Sequence, residues 1–241
     1  MRLYIIRHGQ STNNRLFLET GSEQGRVFDP ELSELGQRQA DCLSEYLFFH
    51  STPQGLNEKI NITHLYTSPM LRAVDTGLPV ARALGLPLVA WKDLHEGGGL
   101  FLGDPAAGTS VGQIGPDRDE MAARYPQLVW PPEMGDGPWW DRPFETPEER
   151  LPRARRVLAA LLARHAPGPN ADDQQGVVFF THANFYNYIL AALLGFSERR
   201  PPVWFSLLNT GITRIDFFIE REPFIAYQNR VEHLPPELVT G

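Results

Sequence analysis

A single cysteine, Cys42, stands in a chain of 241 residues. No intrachain disulfide can form, and a zinc site built on paired cysteines is excluded. Basic charge is also short: 22 Lys and Arg face 29 Asp and Glu, for a net charge of −7. A protein that follows nucleic acid or an anionic membrane through its overall field carries the opposite balance, so neither partner is expected. On average charge alone, an anionic substrate is not expected either. Long apolar runs are missing as well. The greasiest stretch, Tyr188 to Leu194, falls far short of the roughly 20 residues that cross a bilayer. Charge returns at Arg7 directly after Leu3-Tyr4-Ile5-Ile6, too early for a secretory signal. These absences together lead to the expectation of a cytoplasmic protein.

What is present is ordinary for a globular chain, with 42% hydrophobic and 21% charged residues. One domain covering residues 1–241 is expected at this length. Leu3-Tyr4-Ile5-Ile6 reads as a buried strand that delivers Arg7, His8 and Gly9 at its carboxyl end. After a polar stretch, Ser33 is placed to cap a helix with Leu35, Cys42, Leu43, Tyr46 and Leu47 on its apolar face. Ile62 to Thr67 is a second strand, followed by Pro69 in the first turn of a helix that carries Leu71, Val74, Leu78 and Ala81 and stops at Gly85. Leu86 to Trp91 is a third strand and leads to Leu94-His95-Glu96.

Helical spacing returns at Leu151, Ala154, Val157, Leu158, Leu161 and Leu162, and a polar loop then leads to the strand Gly176 to Phe180. Thr181 and His182 end that strand, and an apolar helix from Ala183 to Leu194 closes at Gly195. Ile212 to Ile219 and Phe224 to Gln228 read as two final strands joined by a turn. Strands alternating with helices predict a three-layer, doubly wound α/β fold, mostly parallel, with helices on both faces of the sheet. Ligands of such folds sit beyond the carboxyl ends of the strands.

Residues 97–146 break the alternation. Seven glycines fall between positions 97 and 115, and nine prolines between 126 and 169. Little regular structure is expected there apart from a short helix near Asp117 to Tyr125. Trp130, Trp139, Trp140 and Phe144 argue against disorder and for an inserted lid over a binding site, with a flap packed on the core as the alternative.

Three polar clusters share one rim of this fold: Arg7 with His8, Ser68 with Arg72, and His182. A neutral imidazole is a good nucleophile toward phosphorus, and a guanidinium presents a planar fork that matches phosphate oxygens. Gly9 is small enough for the backbone to approach an anion. Any one of these residues also reads as a satisfied strand-end histidine or a surface arginine. Two histidines at equivalent strand ends, flanked by two arginines, form a pattern that the bland reading does not explain. Glu96 opens a glycine-rich loop, where a mobile acid would be useful. His95-Glu96 lacks the second histidine of a zinc-protease helix, so neither a metal nor another cofactor is expected.

The blocks Arg7-His8-Gly9-Gln10-Ser11-Thr12-Asn13-Asn14, Leu32-Ser33-Glu34-Leu35-Gly36, Ser68-Pro69-Met70-Leu71-Arg72-Ala73, Leu94-His95-Glu96 and Thr181-His182 follow one another in the order seen in the histidine phosphatase superfamily, also called phosphoglycerate mutase-like. The chain resembles that family over nearly its whole length. The resemblance implies a nucleophilic His8 that becomes phosphohistidine and Glu96 as the proton donor. It also implies a phosphate pocket of Arg7, Ser11, Asn14, Arg72, His182 and Ala183.

Two departures from the family pattern shape the expectation. Ala183, followed by Asn184, stands where the family usually has glycine after the second histidine, which either tightens the pocket or lets Asn184 add a contact to substrate. Mutases that use 2,3-bisphosphoglycerate follow the acid with an Arg-His-Tyr-Gly stretch and a later arginine pair. Here Gly97-Gly98-Gly99 follows Glu96, and Arg199-Arg200 lies far downstream. A metal-independent phosphatase acting on a small phosphate ester is therefore preferred to a phosphoglycerate mutase, and both are preferred to a non-catalytic binding relative. Phe217, Phe218 and the late strands offer an edge for a homodimer.

Overall fold

The computed structural model describes residues 1–51, 60–104, 107–167, 175–197 and 200–241. Part of the polar loop before Gly176, and Arg199 of the arginine pair, fall outside the described residues. A seven-stranded sheet runs in the order β6-β3-β2-β7-β1-β8-β9. Its strands are β1 (Arg2–Arg7), β2 (Ile62–Thr67), β3 (Leu88–Ala90), β6 (Leu128–Val129), β7 (Gly176–Thr181), β8 (Ile212–Asp216) and β9 (Phe224–Arg230). β1, β2, β3, β6 and β7 are parallel, while β8 runs antiparallel to both β1 and β9. A separate hairpin pairs β4 (Phe101–Leu102) with β5 (Val111–Gly112).

Alternation along the central strands sorts the core into two layers. Leu3, Ile5, Val177 and Phe179 face α5 (Pro147–Arg164) and α6 (Ala183–Leu193). Tyr4, Ile6, Val178 and Phe180 face α2 (Glu34–Ser51) and α3 (Leu71–Leu84). The expected three-layer architecture is the one observed. Ser33 caps α2 by accepting the Gly36 N–H at 3.1 Å.

Several boundaries differ from expectation. α3 begins at Leu71, because Met70 has extended backbone and acts as the N-cap, so Pro69 precedes the helix. β3 and β8 are shorter than the apolar runs that announced them. The polar stretch after Gly9 is a helix, α1 (Thr12–Thr20). Phe217 is only 4% exposed and belongs to the core, so it does not form an outer edge; Phe224 and Ile225 on β9 are exposed instead.

The 97–146 segment is tied down at several points. It supplies the edge strand β6, the hairpin and α4 (Arg118–Arg124), the last capped by Asp117. Trp139 and Trp140 are fully buried in a third cluster with Met70, Ala90, Leu100 and Met134. Indole rings bury large apolar areas, which holds such a flap on the core.

Candidate active site

Parallel pairing brings the site together. Arg7 ends β1 in register with Thr181 of β7, so His8 and His182 leave neighbouring strands at the same height. His8 N–H donates to the Thr181 carbonyl at 3.0 Å, and Ser68 N–H donates to the Phe180 carbonyl at 3.0 Å. The two imidazole rings lie 5.1 Å apart between centroids.

Hydrogen bonding selects the tautomer of His8. Its Nδ1 is 2.6 Å from the Gly9 carbonyl, which can only accept, so Nδ1 carries the proton. Arg72 donates its Nε–H to Nε2 at 3.2 Å, which marks Nε2 as the lone-pair nitrogen. Burial holds the His8 pKa well below the usual histidine range, and the charges of Arg72 and Arg7 push it the same way. The ring is therefore neutral at pH 7, as a nucleophile requires.

The two arginines are buried cations held by the fold. Arg7 donates from Nη1 to the Leu207 carbonyl at 2.7 Å. Burial lowers its pKa to about 10, so it stays charged. Arg72, the second residue of α3, has Nη1 3.7 Å from the Asp29 carboxylate. Asp29 also accepts the Leu71 N–H at 3.1 Å, and burial raises its pKa to about 7. Thr76 bridges this helix to the nucleophile loop, accepting from Gly9 N–H at 2.9 Å and donating to the Arg72 carbonyl at 2.7 Å.

Glu96 occupies the amino terminus of α6. Its carboxylate accepts from Gly97 N–H at 2.7 Å, Phe185 N–H at 2.9 Å and Asn184 N–H at 3.2 Å. The unsatisfied N–H groups of a helix start attract such an anion. This explains why Ala183, the first residue of α6, stays outside the cavity lining: the anion position there belongs to Glu96. Asn184 is outside the lining too, and its side-chain oxygen accepts from Arg150 at 3.3 Å.

A cavity of about 820 Å³ opens above these groups, lined by Arg7, His8, Ser11, Asn14, Arg72 and Glu96 among others. His182 is fully buried beside His8, with Nε2 2.9 Å from Ser68 Oγ. Burial, then the charge of Arg72, keeps it neutral as well. Ser11 and Asn14 form a reciprocal capping box that starts α1 on the cavity wall. No residue between Trp130 and Phe144 lines the cavity; Gly99 and Phe101 are the part of the insertion that reaches it.

Some site residues escaped the sequence reading. Asn209 donates to the His8 carbonyl at 3.0 Å. Gln39 accepts Gln10 N–H at 2.7 Å and donates to the Leu238 carbonyl at 2.6 Å, tying the cavity floor to the 239–241 wall. A polar residue on the buried stripe of an amphipathic helix is the signal that Gln39 and Thr76 carried. Gly9 has a different reason from the one expected. A Cβ there would sit 2.6 Å from the Gly36 carbonyl, so its smallness serves contact with α2.

A family model described as "Histidine phosphatase superfamily (branch 1)" matches residues 3–230. The chain belongs to that superfamily. This histidine phosphatase is 29% identical to the glucosyl-3-phosphoglycerate phosphatase of Mycobacterium tuberculosis over 215 residues, 89% of this chain and 84% of that one. Over 95 residues, 39% of each chain, it is 38% identical to a putative phosphoserine phosphatase 2 of Hydrogenobacter thermophilus. Its fold matches the mycobacterial glucosyl-3-phosphoglycerate phosphatase solved with VO3, with a TM-score of 0.63 and 23% identity over 95% of this chain and 99% of that one. With relatives named as phosphatases, the chain is an enzyme of the phosphatase type.

Proposed function

We propose that this histidine phosphatase hydrolyses phosphate monoesters through a phosphohistidine on His8, without a metal. One observation carries the reading: a neutral imidazole lining an open cavity whose one lone pair, on Nε2, is held by the Nε–H of Arg72, a cation that phosphate can draw away to free it. Arg7 and Arg72 would hold the phosphoryl oxygens and neutralise charge as it spreads in the transition state. Nε2 attacks phosphorus, the ester P–O bond breaks, and Glu96, entering this step as the carboxylic acid, gives its proton to the departing oxygen. Water then attacks the phosphohistidine while Glu96 takes up a proton, which releases inorganic phosphate and restores His8.

The test is hydrolysis of an aryl phosphate with alkaline-denaturant quenching to trap labelled protein. Wild-type enzyme should turn over and carry an acid-labile, base-stable phosphoryl group, His8→Ala should do neither, and EDTA should leave the rate unchanged. Robust isomerisation of 3-phosphoglycerate in the presence of 2,3-bisphosphoglycerate would establish a mutase instead.

A further inference from the structure

We infer that the substrate carries an apolar alkyl or aryl group, seated against a hydrophobic wall made by α1 and the segment after it. This rests on the phosphomonoesterase reading and names the class of ester. The cavity is far larger than a phosphoryl group and falls within the ~300–1,000 Å³ typical of sites that enclose whole organic ligands. Away from His8, its wall carries Leu16, Phe17, Leu18, Phe28 and Phe101.

α1 has no buried residue, yet Phe17 is 56% and Leu18 70% exposed, and Phe28 beyond the helix is 37% exposed. Grouped apolar exposure of this kind marks a contact surface. Here that surface is continuous with the nucleophile, which makes the ester's organic group its occupant.

Two of the polar groups on the same wall have partners within it, although Arg26 Nε has none. Asn13 exchanges both side-chain hydrogen bonds with the Val27 backbone, at 2.8 and 3.1 Å. Glu23 and Arg26 neutralise each other at 2.8 Å, and the Arg26 guanidinium lies 4.7 Å from the Phe101 ring centroid. A sugar would compete with the Asn13 and Glu23 contacts for hydrogen bonds, and a second carboxylate would find the Arg26 charge already offset by Glu23. An apolar group displaces only water.

Steady-state kinetics on ethyl, butyl and hexyl phosphate test this at nearly constant leaving-group chemistry, with phosphoserine and 3-phosphoglycerate as carboxylate-bearing comparisons. The expected result is a kcat/KM that rises roughly twofold to fourfold per added CH2, carried by KM. The slope should be cut by about half in Phe17→Ser and Phe28→Ser, whose exposed positions leave folding intact by circular dichroism. Hydrolysis with no dependence on chain length overturns the inference alone. So does a preference of about tenfold or more for either carboxylate ester over hexyl phosphate, or a slope that survives both substitutions. If no ester is hydrolysed, the phosphomonoesterase reading falls and this inference with it.

Discussion

Arg72 donates its Nε–H to Nε2 of His8 across 3.2 Å, so one guanidinium holds the lone pair until a phosphate draws it off and frees Nε2 to attack. Lysine at this position keeps the charge but loses the planar fork. Arg72→Lys should lower kcat by about 10²–10³-fold while the thermal unfolding midpoint moves little. Steady-state kinetics beside a melting curve will decide it; a loss below about threefold would detach Arg72 from the reaction.

Behind Arg72 stands Asp29, with a carboxyl that burial pushes up to about 7. Above that pH it is charged and competes with substrate phosphate for the guanidinium. KM for a fully ionised phosphate ester should therefore rise as pH passes upward through 7 in the wild type. In Asp29→Asn it should stay level, since the amide oxygen still accepts the Leu71 N–H. Superimposable KM profiles for the two proteins would remove Asp29 from the site.

The loop that presents Glu96 depends on a buried ion pair. Arg153 binds both oxygens of Glu145, at 2.6 and 2.8 Å, and donates to the carbonyls of Asp93 and His95 at 2.7 and 2.9 Å. Arg153→Ala leaves a carboxylate that is 1% exposed with only Arg150 at 3.8 Å and the Gly98 N–H as partners, and should cost about 3 kcal/mol in denaturant unfolding. Activity should fall as the loop loosens. Removing Glu145 as well should return part of the stability, because no uncompensated charge then remains.

Acid should destabilise this protein through its histidines. Burial depresses the pKa of His8, His95 and His182 below the ordinary 6.5, so the unfolded chain binds more protons than the native one below that pH. Stability from these groups is complete above 6.5 and is lost as pH falls. Asp29 has the opposite sign, contributing most in acid and least once pH exceeds about 7. His64 and His233 are depressed in the same way and Asp75 is raised like Asp29, so the histidines outnumber the carboxyls and net stability falls as pH drops below 6.5. Unfolding midpoints measured from neutral to mildly acid pH should fall accordingly, and His95→Gln should reduce the slope.

Local pattern was enough for the central strands and the helices that cover them. Hydrophobic runs at Leu3–Ile6, Ile62–Thr67 and Val177–Phe180 specified buried parallel strands, because a strand covered on both faces has no polar side. Fold logic then sent Arg7, His8, Arg72 and His182 to one rim, where the two arginines supply the positive charge on a chain of net charge −7. The α1 helix was harder to read, since its Ser11–Asn14 cap opens a helix with no buried face.

Tertiary structure alone decided the rest, because it depends on approaches between residues far apart in sequence. Glu96 reaches the α6 amino terminus some 88 residues on, which takes that anion position away from Ala183. Trp139 and Trp140 turn inward, so the cavity wall passes from the tryptophan flap to α1, Phe28 and Phe101. Periodicity reports which face of an element is buried. It carries no information about which other element comes to cover that face, or which face is left to a ligand.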